Sequence, residues 1–459
     1  MKQRRFRFAR FALRWAIAIG GIWWVVAQMS LRDATLHIPD GAAVPERVTV
    51  VADPGDSPGS IRVLDPQTRA PIDIPRDRTV SKPDGNGRTV RVRDDDRIVE
   101  LQLLGLDLID DRAGGAPRVR RLLVGDTLSP ARFVRPVDLA DPFTLRVPNP
   151  RVETGVIRMV QQADSMLLLA AVAVFPVTYL VTTIRWHRLL RGLQIQVSLA
   201  RAFVLNMVGA FYNAFLLGST GGDVIKAIYA SRQTPHKAAA VISVIVDRVL
   251  GLITLIILGG AMAAWQYAAG ESREDPVTRA CGQVALACAL MLTMLVVGVA
   301  VLGATNLRKR LGVDWILRKL PGQKFIEKIL DVLRLYRARP GLILWALVIT
   351  LPVHLTVIFS ALLAGKAFDL PVSTGYYFVV VPVIVLVGAI PISPQGAGVM
   401  EFFATLLLAR EGATAGHAVA LTMSIRLVQI LWNLTGAIFV LKGGFHAPTQ
   451  KEIDEVEDA

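Results

Sequence analysis

Six ionisable residues stand where hydrocarbon would penalise them: Asp223, Lys226, Asp247, Arg248, Glu401 and Arg426. Asp247 and Arg248 lie eight or nine residues inside the apolar run 239–264, and Arg426 lies eleven into the run 415–441. Ionisable groups at such depth cost about 2.5–3.5 kcal/mol on insertion scales, so they face a cavity and pair with one another. Asp223 with Lys226, Asp247 with Arg248 and Glu401 with Arg426 would balance, but spacing leaves open which acid meets which base. A structural ion pair that only holds helices together is the alternative use of Asp247 and Arg248.

Three of the six follow glycine-rich breaks in apolar sequence. The first is Leu217-Gly-Ser-Thr-Gly-Gly-Asp223 and the second Pro391-Ile-Ser-Pro-Gln-Gly-Ala-Gly398. Asn213 precedes the first; Gly218, Ser219, Gly221 and Gly222 shape it, and Asp223 and Lys226 open the helix after it. The second is shaped by Pro391, Ser393, Pro394, Gly396 and Gly398, with Glu401 just beyond. Glycine admits close approach of backbone to a ligand, and the unpaired N–H groups at a helix start attract phosphate oxygens. Lys226 would add a point charge to the same anion. No Gly-Lys-Ser/Thr follows, so this is not a P-loop. The alternative is a tight helix crossing through small residues. Irregular backbone at membrane depth survives only where it lines something, and paired breaks point to a mid-membrane binding site.

Enzymatic constellations are absent by comparison. Histidines 37, 187, 236, 354, 417 and 446 are scattered without metal-ligand spacing, and no Gly-x-Ser-x-Gly elbow occurs. His354 reads as a packed or hydrogen-bonded core histidine. Cys281 and Cys288 share one apolar helix and read as packing residues. Trp23, Trp24, Trp186, Trp265 and Trp432 read as an aromatic belt near span ends. No catalytic residue, metal or cofactor is expected.

The elements that must position these groups are membrane helices. Hydrophobic residues make up 53% of the 459 and charged residues 19%, with mean hydropathy +0.47. Six runs are long enough to span: 11–29, 165–184, 239–264, 280–303, 341–365 and 415–441. The net charge of +14 is uneven. The first 14 residues carry six basic groups and no acid, and the loop 304–340 carries ten basic against three acidic. Basic groups beside spans mark the cytoplasmic side and attract anionic lipid; they do not indicate nucleic-acid binding. Both termini are therefore expected inside a bacterial-type inner membrane, with two broken hairpins entering from opposite faces. That fold is a polytopic α-helical protein with an inverted repeat as a possibility.

Residues 1–30 read as a retained anchor. The block 31–160 is neutral, with 20 basic and 20 acidic residues, and is expected outside the cytoplasm. Alternating runs at Arg47–Val51, Ser60–Leu64, Thr89–Arg93, Val99–Leu104 and Phe143–Val147 make it a small all-β domain. The membrane domain covers 161–445. Within the basic loop, Phe325–Tyr336 reads as an interfacial helix, and 446–459 as an acidic cytoplasmic tail.

Three motifs, in order, carry a resemblance: Asn213-x4-Gly218-Ser-x-Gly-Gly-Asp223-x2-Lys226, then Asp247-Arg248-x2-Gly251, then Pro391-x-Ser-Pro-x-Gly396-x-Gly398-x2-Glu401. Together they resemble the lysylphosphatidylglycerol synthase transmembrane family, the flippase-like membrane half of bacterial proteins that aminoacylate phosphatidylglycerol. The resemblance covers roughly residues 165–441 and implies that Asn213, Asp223, Lys226, Asp247, Arg248, Glu401 and Arg426 match functional positions. It implies movement of an anionic, aminoacylated or polyprenyl-phosphate lipid between leaflets. The alternatives are a headgroup-modifying enzyme subunit and a membrane scaffold for a separate aminoacyl- or glycosyltransferase. Two departures stand out. Leu217 replaces a frequent proline, and no aminoacyl-transferase domain is expected within the 459 residues. The inserted β-domain resembles no family member's short loop.

Overall fold

The computed structural model describes residues 31–37, 45–52, 60–65, 68–75, 79–81, 89–94, 97–109, 118–125, 131–141, 152–215, 221–234, 237–270, 272–273, 275–303, 339–390, 393–443 and 445, with 19, 20 and 23 ahead of them. The rest of the 11–29 anchor, the Phe143–Val147 strand, the Phe325–Tyr336 helix and the tail from 446 lie outside the described residues. So do Gly218, Ser219 and Pro391.

Period-two alternation builds the N-terminal block. In Ser60–Leu64 the side chains of Ile61 and Val63 are fully buried while Arg62 faces out to meet Asp73 at 2.9 Å. Ten strands result: β1 (Ala34–His37), β2 (Glu46–Ala52), β3 (Ser60–Leu64), β4 (Pro71–Pro75), β5 (Thr79–Val80), β6 (Thr89–Asp94), β7 (Arg97–Ile109), β8 (Arg118–Gly125), β9 (Arg132–Val134) and β10 (Val152–Glu153). They form one sheet ordered β10-β1-β2-β3-β4, with β5 also on β1, and a second ordered β6-β7-β8-β9. Every pairing is antiparallel. Each sheet has its own apolar cluster, Val48, Val50, Ile61, Val63 and Ile74 in one and Val92, Leu103, Leu106 and Leu122 among those in the other.

The block leaves through β10, which runs directly into helix α1 (Val156–Gln162). Asp33 fastens this junction. One carboxylate oxygen accepts from the Gly155 N–H at 2.8 Å and the other meets Arg158 at 2.6 Å, while the Ile157 N–H donates to the Leu31 carbonyl at 3.1 Å. Gly155 lies so close to the Arg32 backbone that a Cβ there would stand 2.3 Å from its carbonyl carbon. Asp33→Ala removes the acceptor of the Gly155 N–H just ahead of α1 and the partner of Arg158. A lost hydrogen bond costs about 0.5–1.5 kcal/mol, and faster amide exchange confined to 155–159 is the expected result; unchanged exchange there would remove Asp33 from the junction.

The remaining helices are α2 (Ser165–Val174), α3 (Val177–Gly192), α4 (Leu199–Phe215), α5 (Gly221–Ser231), α6 (Lys237–Ala269), α7 (Pro276–Gly303), α8 (Pro340–Ala367), α9 (Thr374–Ala389), α10 (Val399–Leu408), α11 (Ala415–Thr435) and α12 (Ala437–Gly443). Among the described residues five helical stretches are long and apolar enough to cross a membrane: Ser165–Gly192, Lys237–Ala269, Pro276–Gly298, Pro340–Ala367 and Ala415–Gly443. Pro176 interrupts the first of these between α2 and α3, since it has no N–H to offer the ladder. By contrast α4, α5, α9 and α10 have 17, 11, 16 and 10 residues. At ~1.5 Å per residue none of the four extends over a hydrocarbon core of ~30 Å.

Two apolar cores divide the bundle along its length. The first takes Trp186, Leu189, Leu205, Ile225, Ile242 and Leu250 among others, so α4 and α5 sit with the beginnings of α6 and α8. The second takes Ala263, Ile358, Tyr376, Val380, Ala404 and Leu421 among others, so α9, α10 and α11 sit with the ends of α6 and α8. Charge follows the same division. Arg188 stacks on Trp345, Arg201 on Phe445, and Arg339 donates to the Gly192 carbonyl, all at the first core. The described carboxylates Asp164, Asp275, Asp369 and Glu411 stand at the other end beside Arg273, Arg279, Lys366 and Arg410, and Glu411 accepts there from the Ser373 N–H and Oγ.

Candidate functional site

Helices α4 and α5 run antiparallel around the first break. Asn213 reaches over it, its Oδ1 accepting from the Gly222 N–H at 2.7 Å, which satisfies a donor at the start of α5. Gly222 in turn presses on Gly209: a Cβ there would stand 1.8 Å from the Gly209 carbonyl oxygen. One turn further along, Lys226 donates to Asn206 at 3.1 Å and its ammonium lies 3.9 Å from the centre of the Trp186 ring. Asn206 is held by donating to Thr182 and Thr183 on α3.

The charges resolve into pairs that spacing left open. Asp247 and Arg248 do not meet, because adjacent helix residues point about 100° apart. Arg248 instead extends to Asp223 at 2.5 Å, with side-chain exposures of 46% and 19%. Asp247 is buried and takes Arg185 at 2.7 Å and Lys226 at 3.7 Å. Arg185 also donates to Thr350 at 2.8 Å, so one guanidinium ties α3, α6 and α8 together. Glu401 pairs with Arg426 at 2.8 Å, one of the combinations that spacing left open.

Arg185 is the residue that sequence reasoning missed. It stands in Arg185-Trp-His-Arg188, a cluster that reads as a span end facing the cytoplasm. One signal could have found it: it lies a full turn deeper than Arg188, beside Thr182 and Thr183. Trp186 likewise is fully buried and donates to Ser243, so it is not part of an aromatic belt. His354 Nε2 donates to the Gly251 carbonyl at 2.9 Å, as a packed histidine would. The buried Cys281 and Cys288 form no disulfide.

The second break has the same build. Helices α9 and α10 run antiparallel, with Gly396 against Gly388 and Met400. The Gly398 N–H donates to Glu401 at 2.7 Å, so this carboxylate caps its own helix and pairs with Arg426 through its other oxygen. Pro394 and Gly396 bound a short 3-10 turn. Between them Gln395, at φ 48°, sends its amide Nε2 to the Ala214 carbonyl, 3.0 Å away on α4. The two breaks, 181 residues apart in sequence, are thereby in contact.

Two electrostatic features follow. Among the described residues Arg185, Lys226 and Arg248 meet Asp223 and Asp247, while Glu401 and Arg426 cancel, so these seven groups sum to one positive charge. Near the second break, Ser393 Oγ and Arg426 Nε are buried without a hydrogen-bond partner among the described residues. Such orphaned groups are rare, and each costs about 1–3 kcal/mol unless a water or ligand meets it. Among the described residues no group of three His, Cys, Asp or Glu is placed to hold a metal.

Comparison with known proteins gives two matches. The family model of the lysylphosphatidylglycerol synthase TM region matches residues 154–436. That stretch begins directly after β10 and takes in α1 through α11, so the β-block lies outside it. A UPF0104 membrane protein of Pyrococcus horikoshii is 25% identical over 309 residues, covering 62% of this chain and 90% of the relative.

Proposed function

Since the chain belongs to the lysylphosphatidylglycerol synthase transmembrane family, we propose that this multi-pass membrane protein moves a phosphate-bearing lipid between leaflets. The cargo class is an anionic phospholipid, its aminoacylated form or a polyprenyl-phosphate lipid. The observation that carries the reading is the contact between the two breaks beside a buried cluster with one surplus positive charge. A lipid phosphate monoanion neutralises that surplus. Lys226 and Arg248, with the N–H groups opening α5, hold the phosphate, and Ser393 with Arg426 meets the rest of the headgroup.

The short helices support a re-entrant arrangement, in which α4–α5 enters from the basic end and α9–α10 from the opposite end. Rocking of one hairpin against the other then shifts access between leaflets while acyl chains stay in the bilayer. With the basic end cytoplasmic, residues 31–160 lie on the outer side of an inner membrane, and the anchor at 1–30 supplies a sixth span. A separate transferase that makes or uses the cargo is a fitting partner.

Reconstitution tests this. In proteoliposomes carrying headgroup-labelled phosphatidylglycerol, aminoacylated phosphatidylglycerol or a polyprenyl phosphate, the wild type should expose at least one label to a membrane-impermeant reagent. Lys226→Met should slow that exposure at least tenfold at unchanged yield, because Asp247 keeps Arg185 as its partner. If none of the three lipids moves, the transport reading falls.

A further inference from the structure

The linker between α3 and α4 builds a second polar site, at the basic end and apart from the breaks. His187, Arg191, Gln194, Gln196 and Ser198 wall a cleft of about 530 Å³, within the ~300–1,000 Å³ usual for ligand sites. Its frame is rigid for a reason visible in sequence. Leu193, Ile195 and Val197 are 7%, 1% and 7% exposed and belong to the first core, while Gln194, Gln196 and Ser198 between and after them face out. Three apolar anchors thus hold the turn at Leu193 and Gln194 (φ 64°) and the segment 195–198 after it, with the polar side to the cleft. Arg339 closes one end on the Gly192 carbonyl, and His187 Nε2 spans to the Val197 carbonyl at 3.0 Å.

The donors in the cleft have no carboxylate partner among the described residues. Arg191 is exposed in the last turn of α3 and has no side-chain partner among the described residues. Arg188 and Arg201 are engaged on Trp345 and Phe445, and outside the buried cluster no described carboxylate stands at this end. Ser198 Oγ accepts from the Arg201 N–H, which leaves its own hydrogen to donate. A guanidinium, two amides and a hydroxyl match the oxygens of a phosphate diester and its polar substituent. Directly along α3 from Arg191, at helical spacing, the exposed side chains are Leu180 at 53% and Ile184 at 42%. That stripe offers an acyl chain a track leading to the arginine.

We propose that this cleft binds the phosphate of an anionic glycerophospholipid resident in the leaflet at the basic end. The site needs the spans but not the transport reading, and a lipid held here would stand beside the mouth of the α4–α5 hairpin. Inorganic phosphate would meet the same donors but not the apolar stripe.

The test uses the full chain in neutral detergent, titrated with short-chain phosphatidylglycerol and read by native mass spectrometry. In the Lys226→Met background, which silences the mid-membrane site, one phosphatidylglycerol should remain bound. Adding Arg191→Gln should weaken its retention at least fivefold, and Arg191→Lys should restore most of it. Arg191 is exposed, so neither change threatens folding. Unchanged retention in Arg191→Gln would overturn the proposal. Complete displacement of the lipid by millimolar inorganic phosphate would overturn the lipid assignment in favour of a soluble anion. Loss of lipid in Lys226→Met alone, with no response to Arg191→Gln, would leave the transport site standing and this one refuted.

Discussion

Asp247→Asn should be the most damaging single substitution in the membrane domain. Asp247 is buried and is the carboxylate that both Arg185 and Lys226 share. Its removal leaves two buried cations facing each other, and stripping one member from a buried pair costs about 3–5 kcal/mol. Folded domains have only ~5–15 kcal/mol in total, so the expected result is a large fall in thermal midpoint in detergent and poor yield. Lys226→Met removes charge from the same cluster yet leaves a neutral pair, and should be far milder for stability. The double variant Asp247→Asn/Arg185→Gln should recover part of the loss, because it eliminates the cation with fewest alternatives. Equal instability in the single and double variants would mean that Asp247 does not act through Arg185.

Gly222→Ala is expected to be the second most damaging change, against its local propensity. Alanine favours a helix over glycine by about 1 kcal/mol, so on α5 alone the substitution should help. The α4–α5 contact reverses the sign. The new methyl would meet the Gly209 carbonyl oxygen at 1.8 Å and the Asn213 side chain at 2.8 Å, and the first of these is backbone that cannot rotate away. Overpacking typically costs about 1–3 kcal/mol, and a backbone clash lies at the upper end or beyond. Gly209→Ala meets its nearest atom at 3.1 Å and should cost distinctly less. Thermal midpoints of the two variants check the ranking. A Gly222→Ala protein as stable as wild type would refute the close packing of the hairpin.

Much of the bundle was legible because membrane helices report themselves by length and apolarity. Five of the six sequence-derived runs correspond to described helices with ends shifted by at most eight residues, and the sixth lies outside the described residues except for 19, 20 and 23. The strands at Ser60–Leu64 and Thr89–Arg93 were equally plain, since one face is buried and alternation has no other cause. The pairing of charges was less legible. A helix wheel separates Asp247 from Arg248, but it cannot say that Arg248 reaches a residue 25 positions earlier or that Asp247 finds one 62 positions earlier. Arg185 was hidden by its company, since a basic run at a span end looks the same whether its first member turns inward or snorkels to water. The contact of Gln395 with Ala214 depends on tertiary packing alone, and no local pattern encodes it.

The seam at Asp33 has a topological consequence. Strands β1 and β10 lie side by side, and the chain enters and leaves the β-block at one point, with Leu31 bonded to Ile157 across it. The block is therefore a closed excursion that ends where the family match begins, at residue 154. Its size is invisible to that junction, in the way a bead threaded on a knot leaves the cord's length unchanged. Excising residues 34–153 would leave two ends that the Asp33–Gly155 hydrogen bond already holds together.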